Sequence, residues 1–364
     1  MAVKNKKSKS NKSKKKRKSQ SIKKKKNTKL LLIIAFFTAV LLIISSYAWF
    51  SVSLNVKVKF FDLVVSSDSG LFISLDGVNF SSEVEISIDS IIRDLGATYP
   101  NHTNQWSAGG LWPVSSNGIK NANQDKFDIY AGEVVRRRIN RQIIKYLNTI
   151  LLKEDKPNAA NVFIGFDIFL KNVSGSPRTD NLYLTEETYI EIDENTPDDD
   201  KEAMSGIMDS MRFGILKIGH VPLKSTVKDI QNIKCNNNCE MVIYEPNSTS
   251  HSEVAIEKAG EIGIIINDGE YVPTYAVINE GERLEHTNGQ EGSGFPLDTD
   301  HFTLQETIKE EDLEDPIFVI PNAITKLRVY VWIEGQDIDS LETNSRGAAI
   351  YIGISFEKDL AGYE

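Results

Sequence analysis

The chain has 364 residues, 40% of them hydrophobic and 26% charged, with a formal net charge of −9 and two cysteines. That charge hides two opposed parts: residues 1–29 hold 15 Lys or Arg and no acid, leaving 27 basic against 51 acidic residues beyond them. Nothing past residue 29 is basic with interleaved aromatics, which excludes a nucleic-acid-binding surface of the usual kind.

The lysine-rich run ends at Lys29 and an apolar run follows from Leu30 to Phe50. About 20 apolar residues suffice to cross a bilayer, and the positive-inside rule keeps the basic end cytoplasmic. Three regions follow: 1–29, a basic cytoplasmic segment able to touch anionic lipid headgroups; 30–50, a signal peptide or signal-anchor transmembrane helix; and 51–364, an acidic extracellular domain. Ser46 and Ala48 put small residues at the positions a signal peptidase inspects, which would release a chain beginning near Trp49. If the helix is retained, Tyr47, Trp49 and Phe50 form its interfacial aromatic belt.

Beyond residue 50 the dominant period is two. Val162, Ile164, Phe166, Ile168 and Leu170 alternate with Phe163, Gly165, Asp167 and Phe169, which predicts a strand with one buried face. Similar runs cover Val56–Val65, Leu71–Leu75, Leu182–Ile192, Arg212–Ile218, Glu261–Ile266, Ile317–Ile320, Leu327–Ile333 and Ala348–Phe356. Asn-, Asp-, Ser- and Gly-rich turns separate them, rather than regularly alternating helices. The expected fold is therefore an antiparallel β-sandwich of jelly-roll type.

Two inserted helices are expected. Val135, Ile139, Ile143, Leu147 and Leu151 recur every four residues, which predicts an amphipathic helix over 133–152. A second begins after Pro197, where Asp198, Asp199 and Asp200 favour the positive end of a helix dipole, and runs to about Met211.

No catalytic signature is present. The five histidines occur singly, and there is no His-Glu-x-x-His pair, Gly-x-Ser-x-Gly elbow, P-loop or Gly-x-Gly-x-x-Gly turn, so the chain is read as a non-enzyme. Cys235 and Cys239, outside the membrane, suit a local disulfide; zinc would need two further ligands. Glu334, Asp337 and Asp339 lie within six residues around Gly335 and could offer hard oxygen ligands to a weakly held Ca²⁺, the alternative being a solvated turn. Glu245-Pro246-Asn247 with His251 reads as a turn closing the strand Met241–Tyr244.

Ser46-Tyr47-Ala48-Trp49-Phe50-Ser51, followed by the strand from Leu54 to Val65, resembles exported Gram-positive surface proteins of the TasA/camelysin group. Ser46 stands where that group's pattern often has Thr, and Trp49 where it has a small residue. Ile243–Asn247, Tyr271–Ala276 and Val331–Asp337 are similar to segments of surface proteins from Firmicutes and their wall-less relatives. The resemblance implies export through a dedicated signal peptidase and a jelly-roll domain that assembles into biofilm-matrix fibres. Camelysin-like proteins have been called metalloproteases, but without a zinc motif that activity is not carried over. Two functions are thus expected in the alternative: a structural or fibre subunit that self-assembles by adding the Leu54–Val65 strand to a neighbour's sheet, or a monomeric, membrane-anchored module binding a glycan, ion or protein through loops.

Overall fold

The computed structural model describes residues 59–360 except 68–69, 88, 107–110, 122–124, 140–141, 153, 155–161, 175–178, 237–238, 262–264, 268, 275–288, 291–304 and 343–348. The segments 1–29 and 30–50, with Ser46 and Ala48, lie outside the described residues. Among the described residues no helix is long and apolar enough to cross a membrane.

The chain is mainly β. In order, its elements are β1 (Lys59–Ser67), β2 (Leu71–Ser74), β3 (Glu83–Ile86), α1 (Leu95–Thr98), β4 (Pro113–Asn121), β5 (Lys126–Ile139), β6 (Gln142–Leu152), β7 (Ile164–Asn172), β8 (Thr179–Leu184), β9 (Tyr189–Ile192), α2 (Asp198–Asp209), β10 (Met211–Val221), α3 (Val227–Gln231), β11 (Glu240–Tyr244), α4 (Glu253–Glu261), β12 (Gly289–Gln290), β13 (Phe318–Pro321), β14 (Ile324–Glu334) and β15 (Ala349–Leu360). A first sheet runs β13-β8-β15-β1-β3, with β9 also on β15; a second runs β11-β10-β14-β4-β5-β6-β12, with β7 on β14 and β2 on β7. The described pairings between these strands are antiparallel except two: β1 lies parallel to β15, and the end of β14 parallel to β4.

One apolar cluster draws on both sheets, taking Leu63, Val65, Ile352 and Phe356 from the first and Phe166, Ile168, Phe213, Leu327 and Val329 from the second. All are at most 1% exposed, so truncating one such phenylalanine to alanine would cost about 3–5 kcal/mol. A second cluster covers the other face of the second sheet: Val114, Phe127, Ile129 and Leu152, from the curled β4–β6 arm, pack on Leu216, Tyr330 and Trp332. Gly214, opposite Tyr330, leaves room for this arm, because a Cβ there would lie 3.0 Å from the Trp332 ring and 3.1 Å from the Phe127 ring.

Several expectations are corrected. The described parts of 133–152, 133–139 and 142–152, are not helical but paired strands, β5 pairing with β6 from Ile129↔Leu152 to Ile139↔Gln142. A repeat of four is also a multiple of two, so residues four apart share a strand face as readily as a helix face. The strand expected over Glu261–Ile266 lies partly outside the described residues, and its described ends, Glu261 and 265–266, are in no strand. The helix α4 reaches Glu261, with Ala255 and Ala259, four apart, buried on one side. Leu182–Ile192 is broken into β8 and β9 by a turn in which Thr188 N–H donates to the Thr185 carbonyl at 2.9 Å. The helix after Pro197 forms as α2, with Asp198 as its first residue.

Candidate functional site

Along β14, Arg328, Tyr330, Trp332 and Glu334 are two apart and share one face of the strand, and Arg212 sits directly beside Trp332 on β10. This face carries aromatics in the middle and a buried arginine cluster at each end.

At the end near Glu334, Arg212 is fully buried and pairs with Glu245 at 2.6 Å and with Asp337. Its guanidinium also donates to the carbonyls of Asp209 and Met211, at 3.1 and 3.0 Å. Thr307 donates to the other Glu245 oxygen at 2.8 Å. Asp339 accepts from His251 Nδ1 at 2.7 Å and from the Ser252 N–H at 2.8 Å, while its own N–H donates to Asp337 at 2.8 Å. The register of β10 against β11 and β14 brings these together: Glu245 directly follows β11, and the turn after β14 carries Asp337 and Asp339 over α2. The approach is close, since a Cβ on Gly206 would lie 2.5 Å from the Asp339 carbonyl oxygen.

Here carboxylates outnumber cations, and the ionisation shows it. Burial, helped by Asp339 and Asp337, pushes the Asp209 carboxyl up to about 8. Burial likewise raises Glu334 to about 7 against the opposing pull of hydrogen bonds and Arg212, and it raises Asp337. The Asp339 hydrogen bond holds His251 up at about 9 although burial would lower it. Both His251 nitrogens face acceptors, Asp339 and the Glu270 carbonyl at 2.8 Å, so the ring carries two protons and is not set to act as a general base.

The three residues of the expected ion loop are therefore neither solvated nor convergent. Glu334, Asp337 and Asp339 are 0%, 6% and 3% exposed. Glu334 accepts from Trp332 Nε1 at 3.1 Å, Asp337 from Arg212 and Asp339 from His251. Among the described residues the only three potential ligands gathered within 4.8 Å of one another are Asp125, Cys235 and Cys239.

At the other end of the face each carboxylate meets cations. Arg328 donates to Asp167 at 2.8 Å and to Glu154 at 2.7 Å, and Tyr330 donates to Glu154. Lys326 lies 3.0 Å from Asp167 and Lys126 3.4 Å from Glu154. Tyr99 donates to Asp167 at 2.8 Å. Burial alone would raise the Asp167 carboxyl; Lys326 and Arg328 outweigh it and hold it well below the usual carboxylate range. Above this cluster lies a cavity of about 200 Å³, lined among others by Tyr99, Asp125, Lys126, Gln231, Lys234 and Lys326.

Cys235 and Cys239 are joined, with Cα atoms 5.7 Å apart, beside this cavity. Lys120 Nζ lies 3.0 Å from Cys235 Sγ. On the first sheet an open groove of about 730 Å³ carries Glu186, Glu187, Glu310, Glu311, Glu314 and Glu357.

Asp167, Arg212 and Arg328 escape a reading of the sequence for motifs because each sits singly inside a strand. Their one signal is an ionisable residue within an apolar run, as in Met211-Arg212-Phe213. No protein-family model, curated protein or solved structure matches this chain.

Proposed function

We propose that the chain is an exported cell-surface protein whose β-rich part is a jelly-roll type sandwich acting as a structural, fibre-type subunit. The segment 30–50 anchors it in the membrane or is cleaved after Ala48, while 1–29 stays on the cytoplasmic side against anionic lipid. The steep charge asymmetry between 1–29 and the acidic remainder supports this orientation.

The observation that carries the assembly reading is the seat of β1. This first described strand lies inside its sheet, with β15 on one side and β3 on the other, and Leu63 and Val65 are wholly buried. The slot between β15 and β3 takes a Leu-x-Val strand through main-chain hydrogen bonds, so the same strand of a neighbouring copy fits it equally well. Exchange of β1 between copies then links subunits in series. Light scattering on residues 51–364 tests this: size should grow with concentration, and cross-linking the opposed positions by Val64→Cys with Glu85→Cys should stop the growth. A stable monomer at all concentrations would sink the fibre reading.

That outcome would favour a second reading, a monomeric surface module binding a ligand through loops. The cavity over Lys326, bordered by the segment after α1, the start of β5 and the segment after α3, supports it.

A further inference from the structure

We propose that the Cys235–Cys239 pair is a site of thiol–disulfide exchange, at which an external thiolate attacks Cys239 and Cys235 leaves as a thiolate held by Lys120. The two sulfurs stand in different surroundings. Cys235 Sγ has the Lys120 ammonium at 3.0 Å. Cys239 Sγ faces the carbonyl oxygen of Ile218 at 3.3 Å and packs against the apolar cluster of Val114, Phe127 and Trp332. Negative charge released on Cys239 would meet a carbonyl dipole and an apolar wall; released on Cys235 it meets a cation. Exchange is faster when the departing sulfur is the better-stabilised thiolate, so the bond breaks toward Cys235. Asp125, within 4.8 Å of both sulfurs, opposes a thiolate on either and leaves the asymmetry to Lys120.

The step balances without a further oxidant. The incoming thiolate forms a new S–S bond to Cys239 as the Cys239–Cys235 bond breaks, and the electron pair departs on Cys235 Sγ. The external thiol is oxidised to the mixed disulfide and Cys235 is reduced. Both cysteines are half-buried, and in the neighbouring cavity that Asp125 and Lys234 line, Lys126 and Lys326 add positive charge. That charge suits a small thiol carrying carboxylates. A ring closed by only three intervening residues costs the fold little when it opens, because so short a loop restrains few unfolded conformations.

The test uses the full chain in detergent with glutathione as the probe. Short exposure, acid quenching and alkylation, read by peptide mass spectrometry, should find glutathione on Cys239 and the alkyl group on Cys235. Lys120→Met should slow opening about tenfold and Lys120→Arg should restore most of the rate, as expected when a cation stabilises the leaving thiolate. Glutathione on Cys235, or equal rates for Lys120→Met and the unsubstituted chain, would overturn the proposal. The site of attachment is read on the unsubstituted chain and does not depend on any variant folding.

Discussion

The two buried arginines, at opposite ends of one sheet face, solve the same problem differently. Around Arg328 the anions Asp167 and Glu154 are met by Arg328, Lys326 and Lys126, and Asp167 is held ionised. Around Arg212 the carboxyls of Asp209, Glu245, Glu334, Asp337 and Asp339 face, among the described residues, the cations Arg212 and His251, and burial keeps Asp209 and Glu334 protonated into the neutral range. Desolvating an ion is expensive, so a buried cluster is satisfied either by counter-charges or by protons. The first kind is indifferent to moderate pH; the second is not.

The sharpest way to break this contrast is to remove each arginine. Arg328→Met takes the guanidinium from between Asp167 and Glu154, leaving each with a single lysine, and should cost about 3–5 kcal/mol in urea unfolding at both pH 5 and pH 8. Arg212→Met should cost as much at pH 8 and distinctly less at pH 5, where Asp337 and Glu334 can take protons instead. Equal losses for Arg212→Met at the two pH values would deny the difference between the clusters.

Next in size is the aromatic wall between them. Gly214→Val places carbon where the Trp332 and Phe127 rings stand, and should lower stability by about 1–3 kcal/mol through overpacking. A melting temperature unchanged by this substitution would mean that the β4–β6 arm does not rest on this face.

The pH dependence of the intact domain is a gentler probe. A group whose pKa is raised by folding stabilises fully below its unfolded value and loses that contribution as pH rises through the folded one. Asp209 rises from 3.8 to about 8, Glu334 from 4.5 to about 7 and His251 from 6.5 to about 9, so all three act in one direction. Thermal stability should fall steadily between pH 5 and pH 9. Asp209→Asn should flatten that slope and gain about 1–2 kcal/mol above pH 8; a slope left unchanged would rule out Asp209 as its source.

The smallest expected effect concerns calcium. Glu334, Asp337 and Asp339 already accept from Trp332, Arg212 and His251. CaCl₂ and NaCl at equal ionic strength should therefore shift the melting temperature alike. A further rise with calcium, removed by Asp337→Asn, would mean that the ion draws these carboxylates away from their protein partners.

Strands with one apolar face and no competing period were legible in the sequence: β7, β14 and β15 fall where alternation places them. What alternation could not tell was whether the other face meets water. Asp167 looks like the outward residue of a half-buried strand, yet it is 2% exposed, because the β4–β6 arm curls over that face and the cluster around Arg328 fills the space beneath. The arm itself was misread since its repeat of four suits either geometry. The short polar strand β4, Pro-Val-Ser-Ser-Asn-Gly-Ile-Lys-Asn, has no period to detect, although Ser115 and Ser116 are fully buried. The arginine clusters depend on register between strands distant in sequence, Arg212 beside Trp332 for instance, and no local pattern encodes that.

The parallel seat of β1 against β15 carries a consequence for how the protein is made. Lys59 lies opposite Ala349, so the first sheet lacks its central pairing until almost the whole described chain has been synthesised. Contacts so far apart close late and slowly. A chain made from its N-terminus can therefore pair β1 early only with β3, and the sheet closes when β15 arrives. Until then β1 keeps one edge open, and the first sheet sets only at the end of synthesis.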